Sequence, residues 1–201
     1  MIKLAVLASG SGTNLQAIID DVKTGYIPAE IKVVISDKAD AYALTRAREA
    51  GIKTEVVLPK NYENREAFDA ELVKILKAHD VEYIALAGYM RLLSKVFLDA
   101  FPDHVVNIHP ALLPSFPGIH GQRDAVEYGV KVSGCTVHFV DENMDHGPII
   151  AQAPVPVLHS DTEDTLKARI LEQEHILFPH VLRLIAEGKV EIQGRKVIIK
   201  D

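Results

Sequence analysis

Short runs of β-branched and apolar residues alternate with longer amphipathic stretches along most of this sequence. Residues 3–7 and 30–35 have the composition of buried strands, and residues 14–23 between them repeat apolar side chains at helical spacing. The alternation continues with predicted helices at 41–50, 64–78 and 94–100 and predicted strands at 54–58, 83–87 and 105–108. This repetition predicts an α/β fold with an open, mostly parallel, twisted Rossmann-like sheet and helices on both faces.

The second half of the chain departs from this pattern. Three prolines and a glycine exclude a regular element from residues 110–118, which we predict to be a rigid loop after a strand. Ser160 and Glu163 have the spacing of a capping box at a helix start. An antiparallel C-terminal portion is predicted, with strands at 133–140 and 149–157, a helix from 162 towards 187 and an edge hairpin within 190–199.

Composition limits the partners that the chain can bind. With 48% hydrophobic residues among 201, the chain can build one sizeable core, so we predict a single domain over residues 1–201. A net charge of −6 argues against binding to nucleic acid or an anionic membrane, because both need clustered cations. We find neither a membrane-spanning apolar run nor a signal peptide, so a cytoplasmic protein is expected. Cys135 is the only cysteine, which excludes an internal disulfide and favours a reducing compartment.

A glycine-rich loop, residues 8–14, lies between the first predicted strand and the first predicted helix. Glycines let the backbone approach a ligand, and a helix N-terminus offers N–H groups and a positive dipole end, which together form an anion site. Leu15 replaces the third glycine of a dinucleotide fingerprint, and no lysine completes a nucleoside-triphosphate loop. The loop predicts either a phosphate site, to which Ser11, Thr13 and Asn14 add polar donors, or a tight turn with an Asn or Thr cap.

Asn107 and His109 occupy the carboxyl end of a predicted strand. Because they are two residues apart, their side chains point to the same face. An amide donor beside a protonated imidazole suits an oxyanion that develops on a carbonyl group. Asp145 lies in a loop before another strand, and a carboxylate near His109 would raise the pKa of that imidazole. The alternative is structural, with a hydrogen-bonded Asn-x-His strand end and a turn aspartate before Gly147.

Two other kinds of chemistry have weaker support. The candidate metal ligands lack the close spacing of recognisable zinc sites, so no metal is expected; they are His109, His120, His138 and Asp145. A serine nucleophile lacks the Gly-x-Ser-x-Gly elbow, and Cys135 lies within a predicted strand. The sequence therefore favours direct group transfer without a covalent enzyme intermediate.

Five motifs are spread over nearly the whole chain. They are SGSGTNLQ at 9–16, LAGYMR at 86–91, NIHPALLP at 107–114, DHGPI at 145–149 and QEH at 173–175. Together they closely resemble the folate-dependent glycinamide ribonucleotide formyltransferases. The resemblance implies an enzyme of purine biosynthesis, monomeric or homodimeric, that transfers a formyl group from 10-formyltetrahydrofolate to the amine of glycinamide ribonucleotide.

The resemblance also implies catalytic roles. His109 is implied to be the proton donor and oxyanion stabiliser, Asn107 to act beside it, and Asp145 to tune it. Residues 1–100 are implied to form a phosphate-binding half, and residues 101–201 to carry the catalytic residues and much of the folate pocket. A cis peptide bond before Pro114 is a further implication of the family.

Substrate contacts follow from the same resemblance. The implied ribonucleotide contacts are Gly12, Thr13, Asn14 and Glu174. The implied folate contacts are Arg65, Met90, Arg91, Leu92, Leu93, Asn107, Val140 and Asp141. Without the resemblance, Met90 and Leu93 are better interpreted as ordinary core. Two positions depart from relatives: His146 adds a titratable group beside Asp145, and Leu171 stands where some relatives place a polar or basic phosphate contact.

Other functions remain open on sequence grounds. A methionyl-tRNA formyltransferase needs a further C-terminal domain and a basic surface, and a formyltetrahydrofolate hydrolase usually carries an N-terminal regulatory domain. A sugar-nucleotide formyltransferase shares the Asn-x-His and Asp residues but has no evident need for the loop at 9–14. A non-catalytic nucleotide- or folate-binding module would use the glycine loop and not the predicted catalytic residues.

Overall fold

The computed structural model describes all 201 residues, which fall into two units, Met1–Asn107 and Ile108–Asp201. The boundary lies within the fifth strand, and the single domain predicted over residues 1–201 stays a prediction. The first unit contains strands β1 (Ile2–Leu7), β2 (Ala29–Ser36), β3 (Thr54–Val56), β4 (Tyr83–Leu86) and most of β5 (Val105–His109). Its helices are α1 (Thr13–Lys23), α2 (Tyr42–Glu49), α3 (Arg65–Ala78) and α4 (Lys95–Ala100).

The strands of the first unit are parallel and follow the order β3-β2-β1-β4-β5. The last residue of β1, Leu7, pairs with Ile35 of β2 and with Leu86 of β4. Central strands of a parallel sheet are covered on both faces, which explains why β1 is apolar at consecutive positions. The register brings the carboxyl ends of β1, β2 and β4 to one edge of the sheet, where ligands bind in open α/β folds.

Helix α3 shows how sequence and packing agree in this unit. Its buried face carries Phe68, Leu72 and Leu76, which recur at helical spacing and are almost completely removed from solvent. Asn64 precedes the helix, and its side-chain oxygen accepts a hydrogen bond from Ala67 N at 2.8 Å, which satisfies one of the free amides at the helix start.

The second unit contains the helices α5 (Gly121–Tyr128) and α6 (Glu163–Ala186). Its strands are β6 (Val132–Phe139), β7 (Ile149–Pro156), β8 (Val190–Gln193) and β9 (Lys196–Ile199). Strands β6 and β7 pair antiparallel, with Cys135 opposite Ala153 and a register shift between Val137 and His138. The seven strands β1 to β7 thus make a mostly parallel mixed sheet, and the predicted fold class is confirmed.

Two details of the predicted C-terminal portion are wrong. The capping box of α6 is formed by Thr162 and Thr165, and not by Ser160 and Glu163. Hydrogen bonds between Leu158 and Asp161 close a turn that keeps Ser160 outside the helix. Strands β8 and β9 form the predicted hairpin, but they make a separate two-stranded sheet because β9 pairs only with β8. No helix in the chain combines the length and apolarity needed to span a membrane.

Candidate active site

His109 ends β5 as a buried, hydrogen-bonded side chain, only 4% exposed. Its Nε2 lies 2.8 Å from the carbonyl oxygen of Phe116, and because a carbonyl only accepts, Nε2 carries a proton. Its Nδ1 lies 3.5 Å from Oδ2 of Asp145. Both ring nitrogens therefore face acceptors, an arrangement that suits a doubly protonated imidazolium. Asp145 thus lies beside His109, as the predicted effect of Asp145 on the imidazole requires.

Asp145 is held by the backbone as well as by His109. Its Oδ2 accepts a hydrogen bond from Gly118 N at 2.7 Å. The residue adopts the left-handed conformation, with φ at 50°, which short polar side chains tolerate better than most. Backbone strain of this kind is retained where the surroundings fix it, and it is concentrated at functional sites. Asp145 lies in a turn, as the structural alternative has it, and its catalytic role stays a prediction.

His138 is a second histidine at Asp145, and sequence reasoning named it only as a candidate metal ligand. Its Nε2 lies 4.0 Å from Asp145 Oδ1, and its Nδ1 donates to Phe139 O at 2.7 Å. Burial lowers the pKa of His138 despite the nearby Asp145 carboxylate, so this ring is neutral near pH 7. The signal in the sequence is the alternation along β6, which places Thr136 and His138 on one face.

The loop at 110–118 supplies the two backbone groups, Phe116 O and Gly118 N, that sequence reasoning missed. It is held in the second unit by Thr136, whose Oγ1 donates to Ala111 O at 2.7 Å and accepts from Leu113 N at 3.1 Å. The side chain of Gln152 also donates to Leu113 O, at 2.9 Å. The loop contains no helix or strand, as predicted, and the implied cis peptide bond before Pro114 is present.

The loop at 140–147 follows β6 and contains two predicted folate contacts, Val140 and Asp141. The carboxylate of Asp141 accepts from Asn143 N at 2.9 Å and lies 2.7 Å from His146 Nδ1. His146 therefore pairs with Asp141 and not with Asp145. At Gly147, an added Cβ would lie 1.8 Å from Phe139 O, so only glycine fits where the loop returns to the sheet.

Asn107 lies on β5 two residues before His109 and is half-buried. The alternation of a strand directs both side chains to one side, as predicted. Its catalytic role stays a prediction.

The glycine loop of the first unit leads into α1 without a side-chain cap. Gly12 is the N-cap residue in the left-handed conformation, φ 71°, and no side chain caps the helix. The alternative of a turn capped by Asn or Thr is therefore wrong. The first hydrogen bond within the helix runs from Gln16 N to Gly12 O, and the residues before Gln16 lie at the positive dipole end of α1. A phosphate is a suitable acceptor there.

Four predicted folate contacts of the first unit, residues 90–93, lie on one segment after β4, whereas Arg65 begins α3 and Asn107 lies on β5. Met90 and Leu92 are 63% and 45% exposed, whereas Leu93 is buried, so the core interpretation is right for Leu93 and wrong for Met90. The Arg91 guanidinium carbon lies 5.0 Å from the centre of the Phe68 ring. Burial raises the pKa of Asp69. The hydrogen bonds from Ser94 and the positive charges of Arg65 and Arg91 act in the opposite direction.

Glu174 and Cys135 are buried together in the second unit. Burial and the charge of Glu174 raise the pKa of Cys135 to about 12, so the thiol is protonated at neutral pH and is a poor nucleophile. No group of three or more His, Cys, Asp or Glu side chains in the chain is arranged to hold a metal ion.

The chain is similar to known formyl transferases in sequence and in structure. The sequence model of a family described as formyl transferase matches residues 2–182. The chain is 44% identical to phosphoribosylglycinamide formyltransferase of Escherichia coli K12, over 94% of this chain and 89% of that protein. It is 50% identical to the trifunctional purine biosynthetic protein adenosine-3 of Drosophila pseudoobscura, over 92% of this chain but only 14% of that protein. The crystal structure of glycinamide ribonucleotide transformylase 1 from Symbiobacterium toebii is 55% identical and superposes with a TM-score of 0.99, covering 100% of this chain and 95% of that one.

Proposed function

The chain belongs to the formyl transferase family, and we propose that it transfers the formyl group of 10-formyltetrahydrofolate to the amine of glycinamide ribonucleotide. The products are formylglycinamide ribonucleotide and tetrahydrofolate, as in de novo purine biosynthesis. The observation that carries the chemistry is the His109–Asp145 pair, with 3.5 Å between Nδ1 and Oδ2, at the end of a strand that also presents Asn107. The similarity to enzymes named for this substrate supports the choice of acceptor.

The proposed reaction is a direct acyl transfer. The amine nitrogen bonds to the formyl carbon, and negative charge develops on the formyl oxygen. Asn107 and protonated His109 donate hydrogen bonds to that oxygen, which lowers the barrier because these bonds strengthen as the charge grows. The bond from carbon to the folate nitrogen then breaks, and that nitrogen gains a proton while the attacking nitrogen loses one. Asp145 assists this proton transfer.

The hydrogen bond from His109 to Phe116 indicates where the formyl oxygen binds. His109 Nε2 donates to Phe116 O at 2.8 Å, so the ring is already directed at a carbonyl oxygen. We infer that the formyl oxygen takes the place of this acceptor during the reaction. Asp145 stays beside Nδ1, where its negative charge stabilises the protonated ring. The negative charge of Asp145 is thus in place before the formyl oxygen binds.

The two substrates are assigned to separate groups of residues. Gly12, Thr13 and Asn14, at the positive dipole end of α1, are assigned to the ribonucleotide phosphate, and Glu174 to a further substrate contact. The exposed apolar side chains of the 90–93 segment fit a flat, largely apolar ring system better than they fit water. The proposed contacts of 10-formyltetrahydrofolate are Arg65, Met90, Arg91, Leu92, Leu93, Asn107, Val140 and Asp141.

Replacement of Gly12 by alanine tests the phosphate site. An added Cβ would lie 2.7 Å from Ala43 Cα, in a left-handed conformation that alanine disfavours, so the loop must shift. We expect the KM for glycinamide ribonucleotide to rise about tenfold or more, because the amides move away from the phosphate. Gly25→Ala is the matched control, since Gly25 has φ +80° but no atom within 4 Å of the added Cβ. Equal KM values for the two variants in steady-state assays would remove Gly12 from the phosphate site.

The proposed function is tested by measuring both products in one reaction. Purified protein is mixed with 10-formyltetrahydrofolate and glycinamide ribonucleotide, and the deformylated folate and formylated ribonucleotide are quantified together. Equal amounts of both, formed only when the amine is present, support the proposal. Folate deformylation without the amine would instead establish a hydrolase, and the absence of any reaction would favour a binding module or another amine acceptor.

A further inference from the structure

Ser9 belongs to the glycine-rich motif, but its side chain is directed away from the loop. Ser9 follows β1 and is 4% exposed, and its Oγ donates to Oδ1 of Asp37 at 2.7 Å. The same oxygen accepts from Met90 N at 3.0 Å, and Ser9 N donates to Gly88 O at 3.1 Å. Asp37 follows β2, and Gly88 and Met90 follow β4, so three neighbouring strand ends are joined through one hydroxyl group.

The Asp37 carboxylate determines the direction of this hydroxyl group. A carboxylate only accepts, so the Ser9 proton is committed to Asp37 and a lone pair is left for Met90 N. Ser9 is therefore unsuited to donate to a phosphate, unlike the donors Ser11, Thr13 and Asn14 that the sequence predicts in the same loop. A hydrogen bond to an ionised acceptor is roughly twice as strong as a neutral one, which makes this orientation well defined.

The segment after β4 is anchored at its other end by a second buried carboxylate. Asp69 Oδ2 accepts from Ser94 N at 2.6 Å, and Arg91 stacks on Phe68 between the two anchors. Residues 90–93 are thus fixed at both ends while Met90 and Leu92 keep their side chains exposed. A segment ordered in advance loses less conformational entropy when a ligand binds.

We propose that Ser9 and Asp37 are positioning residues for the formyl donor, acting through the hydrogen bond from Met90 N to Ser9 Oγ. The inference rests on the proposed function, in which residues 90–93 contact 10-formyltetrahydrofolate. Ser9 touches neither substrate; it holds the donor-binding segment in place. Its loss therefore weakens donor binding selectively, whereas general destabilisation would weaken the binding of both substrates.

Ser9→Ala tests the proposal, with Ser36→Ala as the matched control. Ser36 is also buried at the end of a strand, and its Oγ also accepts a hydrogen bond from a backbone amide, but from Lys38 N, at 3.1 Å, and not from the segment after β4. For Ser9→Ala we expect the KM for 10-formyltetrahydrofolate to rise about tenfold and that for the ribonucleotide to change less than about twofold. Ser36→Ala is expected to leave both constants unchanged. An unchanged donor KM, or an equal rise in both constants, would overturn the proposal.

A second variant and a binding measurement separate this inference from the proposed function. Asp37→Asn keeps an oxygen that can accept the Ser9 hydroxyl proton, so donor binding is expected to stay within about threefold of wild type. Calorimetric titration with tetrahydrofolate reports binding without turnover. If tetrahydrofolate binds wild type but about tenfold more weakly to Ser9→Ala, the inference holds even if formyl transfer fails. Equal affinities of wild type and Ser9→Ala for tetrahydrofolate contradict the inference, even where formyl transfer is observed.

Discussion

His109→Ala is expected to lower kcat by about a thousandfold or more, because it removes both an oxyanion donor and a proton donor. The KM values are expected to change less than about threefold, since the lost interactions strengthen mainly in the transition state. His109 is buried between Phe116 O and Asp145, so its replacement also leaves a small cavity. Steady-state kinetics with both substrates, alongside a thermal unfolding curve, measure the two effects separately.

His104→Ala is the control for this prediction. His104 is half-buried, precedes β5 at the opposite end from His109, and packs against the ring of Tyr83 with centroids 4.3 Å apart. Its replacement removes the same ring and is expected to leave kcat within about threefold of wild type, because substitutions away from the chemistry act mainly on stability. If His109→Ala kept more than a tenth of the wild-type kcat, the proposed mechanism would be wrong.

Asp145→Asn is expected to lower kcat by about a hundredfold, because the protonated ring of His109 loses its negative partner. The asparagine oxygen can still accept from Gly118 N, so the loop is retained and the change is mainly one of charge. Steady-state kinetics of wild type and Asp145→Asn at one pH measure this loss.

Asp124→Asn is the control for this prediction. Asp124, on α5, pairs with Arg123 at 3.0 Å, and its replacement is expected to leave kcat within about threefold of wild type. A kcat of Asp145→Asn equal to that of Asp124→Asn would remove Asp145 from the proposed tuning role.

The sequence predicts the main elements well because their signals are local. Apolar periodicity and strand-length runs identify α1, α3 and β1 to within a residue or two, and their alternation implies the parallel sheet. The capping pair of α6 is wrong for an equally local reason. Several polar residues at 160–165 can cap a helix, and the hydrogen bonds between Leu158 and Asp161 select Thr162.

The candidate site is only partly predictable, because some of its residues are close in the sequence and others are far apart. Asn107 and His109 are visible as a pair since a strand places them on one side. Asp145 joins them only through the resemblance to the formyltransferases. Phe116 O and Gly118 N carry no side-chain signal, and the loop that contains them is bonded at Ala111 and Leu113 to side chains of β6 and β7.

The role of Ser9 also depends on a residue that is distant in the sequence. Ser9 lies in the predicted phosphate motif, but its hydroxyl donates to a carboxylate 28 residues away in the sequence. Only the register of β1 against β2 brings the two together.

The most direct test of the proposed function follows the formyl carbon itself. Wild-type protein in excess is mixed with 10-formyltetrahydrofolate labelled at the formyl carbon and with glycinamide ribonucleotide, in a single turnover. We predict that the label appears on the ribonucleotide amine in step with its loss from the folate, and that none is released as formate. Label recovered as free formate, or retained on the folate, would contradict the assignment of the chain as a glycinamide ribonucleotide formyltransferase.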